Sequence, residues 1–294
     1  MKNGLLYAII AYIMWGLLPL YWKLFETTPA GEILSHRIIW SFVFVAILIA
    51  AQRKWSELRA LAANRSSLLS LTVSSLLITA NWMIFIWAVN NGHVVETSLG
   101  YYLTPLLNVL LGILFLREKP SKGQWLAVAL AGAGVLFVAI DYGRFPWISV
   151  SLALSFGLYG LAKKKVSLES SLGLFMETAV VTPLALLYWI YLGATHTATA
   201  WSLSAGSLLL LLLAGAATAL PLLFFAKAAK QLPLSTLGFV QYIGPSITLL
   251  LSVLVFDEHI STVLLVSFSL IWAALVVFAM SSIRRAKSPN PAAR

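Results

Sequence analysis

Long stretches without a charged residue recur along the whole chain and set the pattern of predicted elements. A helix needs about 20 apolar residues to cross a bilayer. Eight stretches lack Asp, Glu, Lys and Arg: 3–22, 66–95, 97–116, 123–140, 145–162, 178–226, 231–256 and 260–283. The polar insert 195–207 divides the longest of them into two. The pattern therefore predicts an all-α, polytopic integral membrane protein.

These stretches resolve into ten predicted transmembrane helices with short connections. We place them at 4–24, 30–51, 68–89, 94–116, 124–141, 146–163, 170–192, 206–227, 233–256 and 260–282. The connection 52–67 carries an apolar helix face that is predicted to lie at the membrane surface, formed by Trp55, Leu58, Leu61 and Ala62. The segment 284–294 is predicted to be a cytoplasmic tail.

Composition narrows the class of protein. The chain has 294 residues, of which 60% are apolar and 10% charged, whereas a soluble domain carries about 25% charged residues. This excludes a secreted domain, a nucleic-acid-binding protein and any sizeable soluble catalytic domain. Cysteine is absent, so disulfide and thiolate chemistry are excluded too. We expect the partners to be a lipid bilayer and a small-molecule substrate, with no nucleic acid.

The distribution of basic residues predicts the orientation in the membrane. Ten helices place both termini on one side. If that side is the cytoplasm, 17 of the 20 Lys and Arg residues fall in inner segments, and the exceptions are Lys23, Arg37 and Arg144. Basic residues accumulate in cytoplasmic loops. This bias predicts cytoplasmic termini and accounts for the net charge of +10.

The chain also repeats itself at a spacing of about 140 residues. Residues 101–119 align with 241–259 without a gap, and shorter matches at offsets of 139 and 141 relate helix three to helix eight and helix one to helix six. Five helices is an odd number, so the second copy must cross the membrane upside down. Inverted repeats are typical of secondary transporters, which bind substrate near the midplane between the copies. The predicted units are 1–143 and 144–283.

These features together resemble the EamA branch of the drug/metabolite transporter superfamily. The resemblance rests on the two inverted halves, the chain length and a repeated Pro-then-Glu pattern, at Pro105 and Glu118 and again at Pro245 and Glu258. The stretches similar to its RarD subgroup, the chloramphenicol-sensitive proteins, are 4–23, 32–41, 81–112 and 116–135. The resemblance implies a permease of the cytoplasmic (inner) membrane associated with export of a drug or metabolite. It implies no particular substrate.

Helices four and nine present matched polar faces around a proline. The members of these faces are Tyr101, Thr104, Pro105 and Asn108 in one helix and Gln241, Gly244, Pro245 and Thr248 in the other. Both prolines fall near the bilayer midplane, where each frees a backbone carbonyl and bends its helix. We expect two kinked helices that line a substrate cavity. The alternative is that the prolines only shape packing.

Aromatic residues crowd the same depth. Those that are candidates for lining a pocket for planar or amphipathic solutes are Tyr12, Trp15, Trp82 and Tyr242, with Trp40, Tyr101, Tyr102 and Tyr159 nearby. Ordinary packing is the alternative for each of them.

Charged residues within predicted spans are the sharpest signal, because each needs a partner or a wet cavity. Arg37 and Glu177 occupy equivalent positions of the repeat, 140 residues apart. Arg37 is predicted either to meet a carboxylate or phosphate of the substrate or to pair with Glu177. His36 is a candidate proton relay, with a hydrogen-bonded structural role as the alternative.

No sequence motif supports a cofactor or a metal site, and neither Walker A nor HExxH occurs. The prediction is therefore a secondary transporter rather than an enzyme. The alternatives are a membrane-embedded enzyme and a non-transporting receptor or scaffold. Small-residue stripes at Ala127, Ala131 and Gly134 and at Gly215 and Ala219 indicate close helix packing, either within a monomer or in a homodimer.

Overall fold

The computed structural model describes residues 2–25, 28–91, 93–143, 145–165, 169–200, 203–255 and 261–287. These residues are almost entirely helical, which confirms the all-α class. The helices are α1 (Lys2–Trp22), followed by a 3₁₀ turn (Lys23–Phe25), α2 (Ala30–Ala51), α3 (Trp55–Ala63), α4 (Arg65–Asn90), α5 (Val94–Leu116), α6 (Lys122–Tyr142), α7 (Trp147–Lys165), α8 (Ser170–Ala194), α9 (Ala205–Gln231), α10 (Leu234–Gln241), α11 (Ile243–Leu254) and α12 (Thr262–Lys287).

Nine segments of the described chain are long and apolar enough to cross a membrane. They correspond to nine of the ten predicted spans. The exception is α7, whose last three residues are Lys163, Lys164 and Lys165; these lysines lower its mean hydropathy. The structure is therefore that of a polytopic helical membrane protein, and the count of ten spans stays a prediction. The predicted connection 52–67 contains α3, in which Leu58 and Leu61 are buried.

The predicted ninth span is two helices rather than one. α10 ends at Gln241 and α11 begins at Ile243, with Tyr242 between them. Pro245 has no N–H to offer the carbonyl of Gln241, and Gly244 before it further weakens the helix. Its counterpart α5 runs without interruption through Pro105. The two prolines thus have different effects on their helices.

The strongest helix contacts join the first half of the chain to the second. They comprise α1 with α9 and α11, α2 with α8 and α9, α4 with α7 and α8, α5 with α7 and α10, and α6 with α12. Exchanging each helix for its counterpart about 140 residues away leaves this set unchanged. Gly16 packs against Ile247, and Gly157 packs against Leu107, which are equivalent contacts under the same exchange. The contacts thus follow the 140-residue offset, and the division into two inverted repeats, 1–143 and 144–283, stays a prediction.

Side chains from one half also complete helix ends in the other. The Glu118 carboxylate after α5 accepts hydrogen bonds from the backbone N–H groups of Leu234 and Ser235, at the first turn of α10. The ammonium of Lys164 donates to the carbonyls of Ala229 and Leu232 at the end of α9. A carboxylate at a helix N-terminus and a cation at a C-terminus both complement the helix dipole.

The stripe of small residues on α6 packs within the chain. Ala127 and Ala131 are fully buried. A Cβ on Gly134 would lie 2.9 Å from the carbonyl oxygen of Ser267 in α12. The Ser267 hydroxyl donates to the Gly134 carbonyl over 2.9 Å. Asp257, Glu258, His259, Arg144 and most of the predicted tail lie outside the described residues.

Candidate functional site

Two clefts lie between the halves and meet at Glu177. The first is narrow and is lined chiefly by polar side chains, including Ser74, Lys163, Glu169 and Lys230. The second is also narrow and is mainly apolar, with Trp82 and Tyr159 in its wall. The Glu177 side chain lines both. This carboxylate therefore stands where a polar and an aromatic space join.

Glu177 forms a buried ion pair with Lys163. The Lys163 Nζ atom lies 2.7 Å from Glu177 Oε2, and the two side chains are 7% and 2% exposed. The Tyr159 hydroxyl donates to the same carboxylate oxygen over 3.4 Å. Glu177 Oε1 makes no hydrogen bond to any described residue. Pairing of Glu177 with Arg37 was one of the two predicted alternatives. The structure instead pairs Glu177 with Lys163 of α7.

Arg37 is held by neutral groups. Its Nε donates to the Thr218 hydroxyl over 3.2 Å. Its guanidinium carbon lies 4.7 Å from the ring centre of Trp22 and 5.3 Å from that of Trp82. Tyr101, 45% exposed, is within electrostatic range of the guanidinium. Among the described residues no carboxylate lies within ion-pair distance of Arg37.

Close packing between α2 and α9 places Thr218 beside Arg37. A Cβ on Gly215 would lie 2.2 Å from the backbone carbonyl of Trp40, so these helices touch backbone to backbone. The Ser41 hydroxyl donates to the Gly215 carbonyl over 3.2 Å. The Arg37 side chain crosses this interface, and its Nε–H reaches the Thr218 hydroxyl.

The matched polar faces of α5 and α10–α11 bond to each other and to neighbouring helices. Asn108 Nδ2 donates to Gln241 Oε1 over 3.2 Å. The Tyr242 hydroxyl donates to the carbonyl of Tyr102 over 3.0 Å. The two other contacts are Thr104 to the Gly100 carbonyl at 2.8 Å and Thr248 to the Gly16 carbonyl at 3.4 Å. Neither cleft is lined by these faces, and their contact with substrate stays a prediction.

The aromatic candidates divide between packing and cleft. Tyr12 is fully buried and its ring contacts Trp15 and Phe225. Trp15 packs edge-on against Phe156, its counterpart in the repeat, with 5.8 Å between ring centres. Two of the aromatic candidates, Trp82 and Tyr159, line the apolar cleft, and Trp82 also contacts Arg37.

The other intramembrane titratable residues of α2 have local partners. His36 Nδ1 accepts a hydrogen bond from the Trp40 indole over 3.1 Å, and its ring packs on Trp189 with 4.6 Å between centres. These contacts favour the structural alternative for His36. The Glu32 carboxylate accepts from the backbone N–H groups of Thr199 and Ala200, at 3.0 and 2.8 Å. It anchors the connection before α9.

The sequence pattern did not point to Lys163 or Thr218 as site residues. Lys163 begins a run of three lysines that resembles an ordinary cytoplasmic flank. Its position four residues after Tyr159 was the available signal, because that spacing puts both side chains on one helix face. Thr218 carries no comparable signal, since a single threonine in an apolar helix is common.

Comparison with known proteins places the chain in a family. The uncharacterized transporter YojE of Bacillus subtilis (strain 168) is 51% identical over 287 residues, covering 96% of this chain and 95% of the relative. Protein RarD of Escherichia coli (strain K12) is 44% identical, covering 96% and 95%. Residues 2–140 match the EamA-like transporter family. The chain belongs to the EamA-like transporter family.

Two further similarities complete the comparison. The chloramphenicol-sensitive protein RarD of Pseudomonas aeruginosa is 31% identical, covering 96% of this chain and 95% of the relative. One crystal structure superimposes with a TM-score of 0.73 at 17% identity, covering 95% of this chain and 98% of that chain. At that identity the likeness concerns the fold alone. The resemblance to RarD-type permeases is confirmed, and the chain is a multi-pass membrane transporter.

Proposed function

We propose that this member of the EamA-like family is a secondary transporter that exports a small organic metabolite or drug through the cytoplasmic membrane. We further propose that Arg37 recognises an anionic group on that solute. The names of its relatives, among them a chloramphenicol-sensitive protein, support membrane transport of small molecules and leave the substrate open. Catalysis plays no part in the proposal.

The observation that carries the role of Arg37 is its surroundings. A guanidinium within a membrane span is expensive unless it is paired or hydrated. Arg37 of α2 has one hydroxyl, two indole faces and a nearby phenol around it, from α9, α1, α4 and α5. Aromatic faces stabilise the cation without neutralising it. A carboxylate or phosphate would supply the missing negative charge through paired hydrogen bonds.

The exchange of helix contacts between the halves supports the proposal of alternating access. Each pair such as α1 with α11 has a counterpart such as α5 with α7. A conformation in which the two halves swap these roles would open the opposite side of the membrane to the same central site. We infer that the solute passes between the halves, beside Trp82.

The proposed orientation has cytoplasmic termini. Reporter fusions after Ala63 and after His93 test it, since the first point is expected inside and the second outside. An extracellular signal from the first fusion would contradict the orientation.

The test of function combines binding with flux. Purified protein is screened by thermal shift against amino acids, nucleobases, organic acids and small drugs, and each solute that stabilises it is followed in proteoliposomes. Arg37→Met should lose binding and flux of the anionic solutes while the protein stays folded, because no described carboxylate depends on Arg37. Arg59→Met, which removes an exposed cation from α3, is the matched control.

Two outcomes would contradict the proposal. Unchanged binding of anionic solutes to Arg37→Met would remove the recognition role. Chemical turnover of a solute without its flux would favour the membrane-embedded enzyme, and binding without either would favour a receptor.

A further inference from the structure

The carboxylates within the described helix bundle differ in how completely they are bonded. Glu32 uses Oε1 for the Ala200 N–H and Oε2 for the Thr199 N–H and hydroxyl. Glu118 likewise uses one oxygen for Leu234 and the other for Ser235. Both are anchors with every oxygen occupied. Glu177 uses Oε2 for Lys163 and Tyr159, and its buried Oε1 has no hydrogen bond to a described residue.

We propose that Lys163 is an anion-binding subsite that Glu177 occupies in the ligand-free protein, and that a carboxylate or phosphate binding there displaces Glu177, which then takes up a proton. This inference rests on the transport of an anionic solute proposed above and extends it to a second cation. The subsite lies in the polar cleft, between α7 and α8.

Charge balance requires the proton. The Lys163–Glu177 pair is neutral as a unit, and it is buried. An incoming anion neutralises Lys163 in place of Glu177 and leaves the Glu177 carboxylate without a counter-ion. An unpaired buried carboxylate is strongly disfavoured and binds a proton instead. The loaded site then holds ammonium, anion and carboxylic acid, with the same net charge as before.

The groups around Glu177 indicate which side chain takes up the proton when the anion binds. Lys163 and Tyr159 face it from α7, and Lys230 faces the same cleft from α9. Glu169 lies at the start of α8 and is held by Lys54. The described part of α4 contributes only hydroxyls, from Ser74 and Ser75, and the titratable side chains of α2 bond elsewhere. Glu177 is the carboxylate that the incoming anion replaces beside Lys163, so we assign the proton uptake to it.

The subsite communicates with Arg37 through the aromatic cleft. Glu177 and Trp82 both line this cleft, and the Trp82 ring contacts the Arg37 guanidinium. The two cations, one from each half, are thus connected through Trp82 and Glu177; one cation is held by neutral groups and the other is paired with a carboxylate. An anion leaving Arg37 finds its next counter-charge at Lys163 once Glu177 is protonated.

The test uses formate and benzoate as probes of the full-length protein in nanodiscs. Calorimetry in buffers of different ionisation enthalpy counts the protons taken up, and we expect about one per anion, with affinity falling by up to about tenfold per pH unit above the pKa of Glu177. Glu177→Gln mimics the protonated state, so it should bind both probes at least about tenfold tighter, with no proton uptake and no pH dependence. Lys163→Met with Glu177→Gln removes both charges together, which avoids a stranded ion, and should abolish the tighter binding gained in Glu177→Gln, leaving only the anion binding at Arg37.

The outcomes separate this inference from the proposed function. Failure of both probes to bind Glu177→Gln, or equal binding to the double variant, would overturn the subsite at Lys163. Arg37-dependent flux that persists in the double variant, without pH dependence, would do the same while leaving the transport proposal intact. Absence of flux for every anionic solute in the wild-type protein would instead contradict the transport proposal.

Discussion

Arg37 and Glu177 are each the eighth residue of their helices, α2 and α8, and they are 140 residues apart in the chain. Their surroundings differ as much as their charges. Glu177 is held by a lysine and a tyrosine from α7, whereas Arg37 is held by a threonine and two indoles. The comparison teaches that a repeat can duplicate the place of a buried charge without duplicating what compensates it. Of these two charges, only that of Glu177 has an opposite charge beside it, so only that site contributes an ion pair to the stability of the fold.

The largest expected difference between the two sites is in stability. Lys163→Met leaves Glu177 as an unpaired buried carboxylate and should cost about 3–5 kcal/mol, because removing one partner of a buried pair exposes the desolvation penalty of the other. Arg37→Met strands no described charge and should cost less than about 1 kcal/mol. Thermal melting in one detergent compares them.

The double variant is the control for this prediction. Lys163→Met with Glu177→Gln should recover most of the loss, since no ion is left stranded. Equal losses from Lys163→Met and Arg37→Met would contradict the distinction between the two sites.

The next effect concerns the helix contact that positions Arg37. Gly215→Ala puts a Cβ 2.2 Å from the Trp40 carbonyl, and the helices must separate, at a cost of about 1–3 kcal/mol. Thr218 then moves away from Arg37, so anion affinity should fall as well. Melting and thermal-shift binding are measured together.

Gly132→Ala is the matched control, because no atom lies within 4 Å of the added Cβ. This change in a helix interior should stabilise the protein by about 0.5–1 kcal/mol. A Gly215→Ala protein that melts like the wild type would show that α2 and α9 have more room than the structure gives them.

A smaller effect separates the hydroxyls of the two sites. Thr218→Val keeps the shape of the side chain and removes the acceptor of the Arg37 Nε–H, so solute affinity should fall about three- to tenfold. Tyr159→Phe removes only a 3.4 Å hydrogen bond to Glu177, and it should not weaken anion binding. Titration of one anionic solute into both variants makes the comparison. Weaker binding by Tyr159→Phe than by Thr218→Val would contradict the assignment of the solute site to Arg37 and Thr218.

The smallest expected effect on stability is that of the exposed ion pair between Lys54 and Glu169, whose carboxylate lines the polar cleft. Lys54 hydrogen-bonds Glu169 and holds the pKa of that carboxyl below its usual range. A lowered folded-state pKa stabilises the protein above the unfolded pKa, and the contribution is lost as the pH falls through the folded value. Glu169→Gln should therefore cost less than about 1 kcal/mol at neutral pH.

The pH and salt dependence check this sign. The difference between wild type and Glu169→Gln should shrink below about pH 4 and in high salt. Glu57→Gln, at an exposed position of α3, is the control. A difference that grows on acidification would contradict the pairing.

The sequence predicted the helices well because each is a long apolar segment, and membrane helices bond their own backbone. The spans 30–51 and 94–116 agree with α2 and α5 to the residue. The break at Tyr242 was not predicted, since Pro105 and Pro245 look equivalent and differ in the residue before them. The structure shows that Thr104 hydrogen-bonds the Gly100 carbonyl, whereas Gly244 has no side chain to do so.

The candidate site was predicted less well, because partners depend on how helices rotate about their axes. The 140-residue offset placed Arg37 and Glu177 at equivalent positions, and hydropathy showed both as costly. Neither the offset nor the hydropathy indicated which cation faces Glu177. Lys163 is the first of three lysines at the end of a helix, where the sequence predicts exposed side chains. Its burial of more than nine tenths therefore depends on tertiary packing. The hydrogen bond between Asn108 and Gln241 likewise arises from the packing of α5 on α10.

The cap that Glu118 provides for α10 has a consequence for biogenesis. When α5 leaves the ribosome, its partners α7 and α10 have not yet been made, and the Glu118 carboxylate has no N–H groups of Leu234 and Ser235 to bind. Most of the strong contacts of the early helices are with helices synthesised later. The first five spans must therefore wait in the bilayer, individually stable as helices but without their tertiary partners. The half-made chain therefore lacks most of the contacts that hold the finished bundle together, and its early helices rely on their own backbone hydrogen bonds.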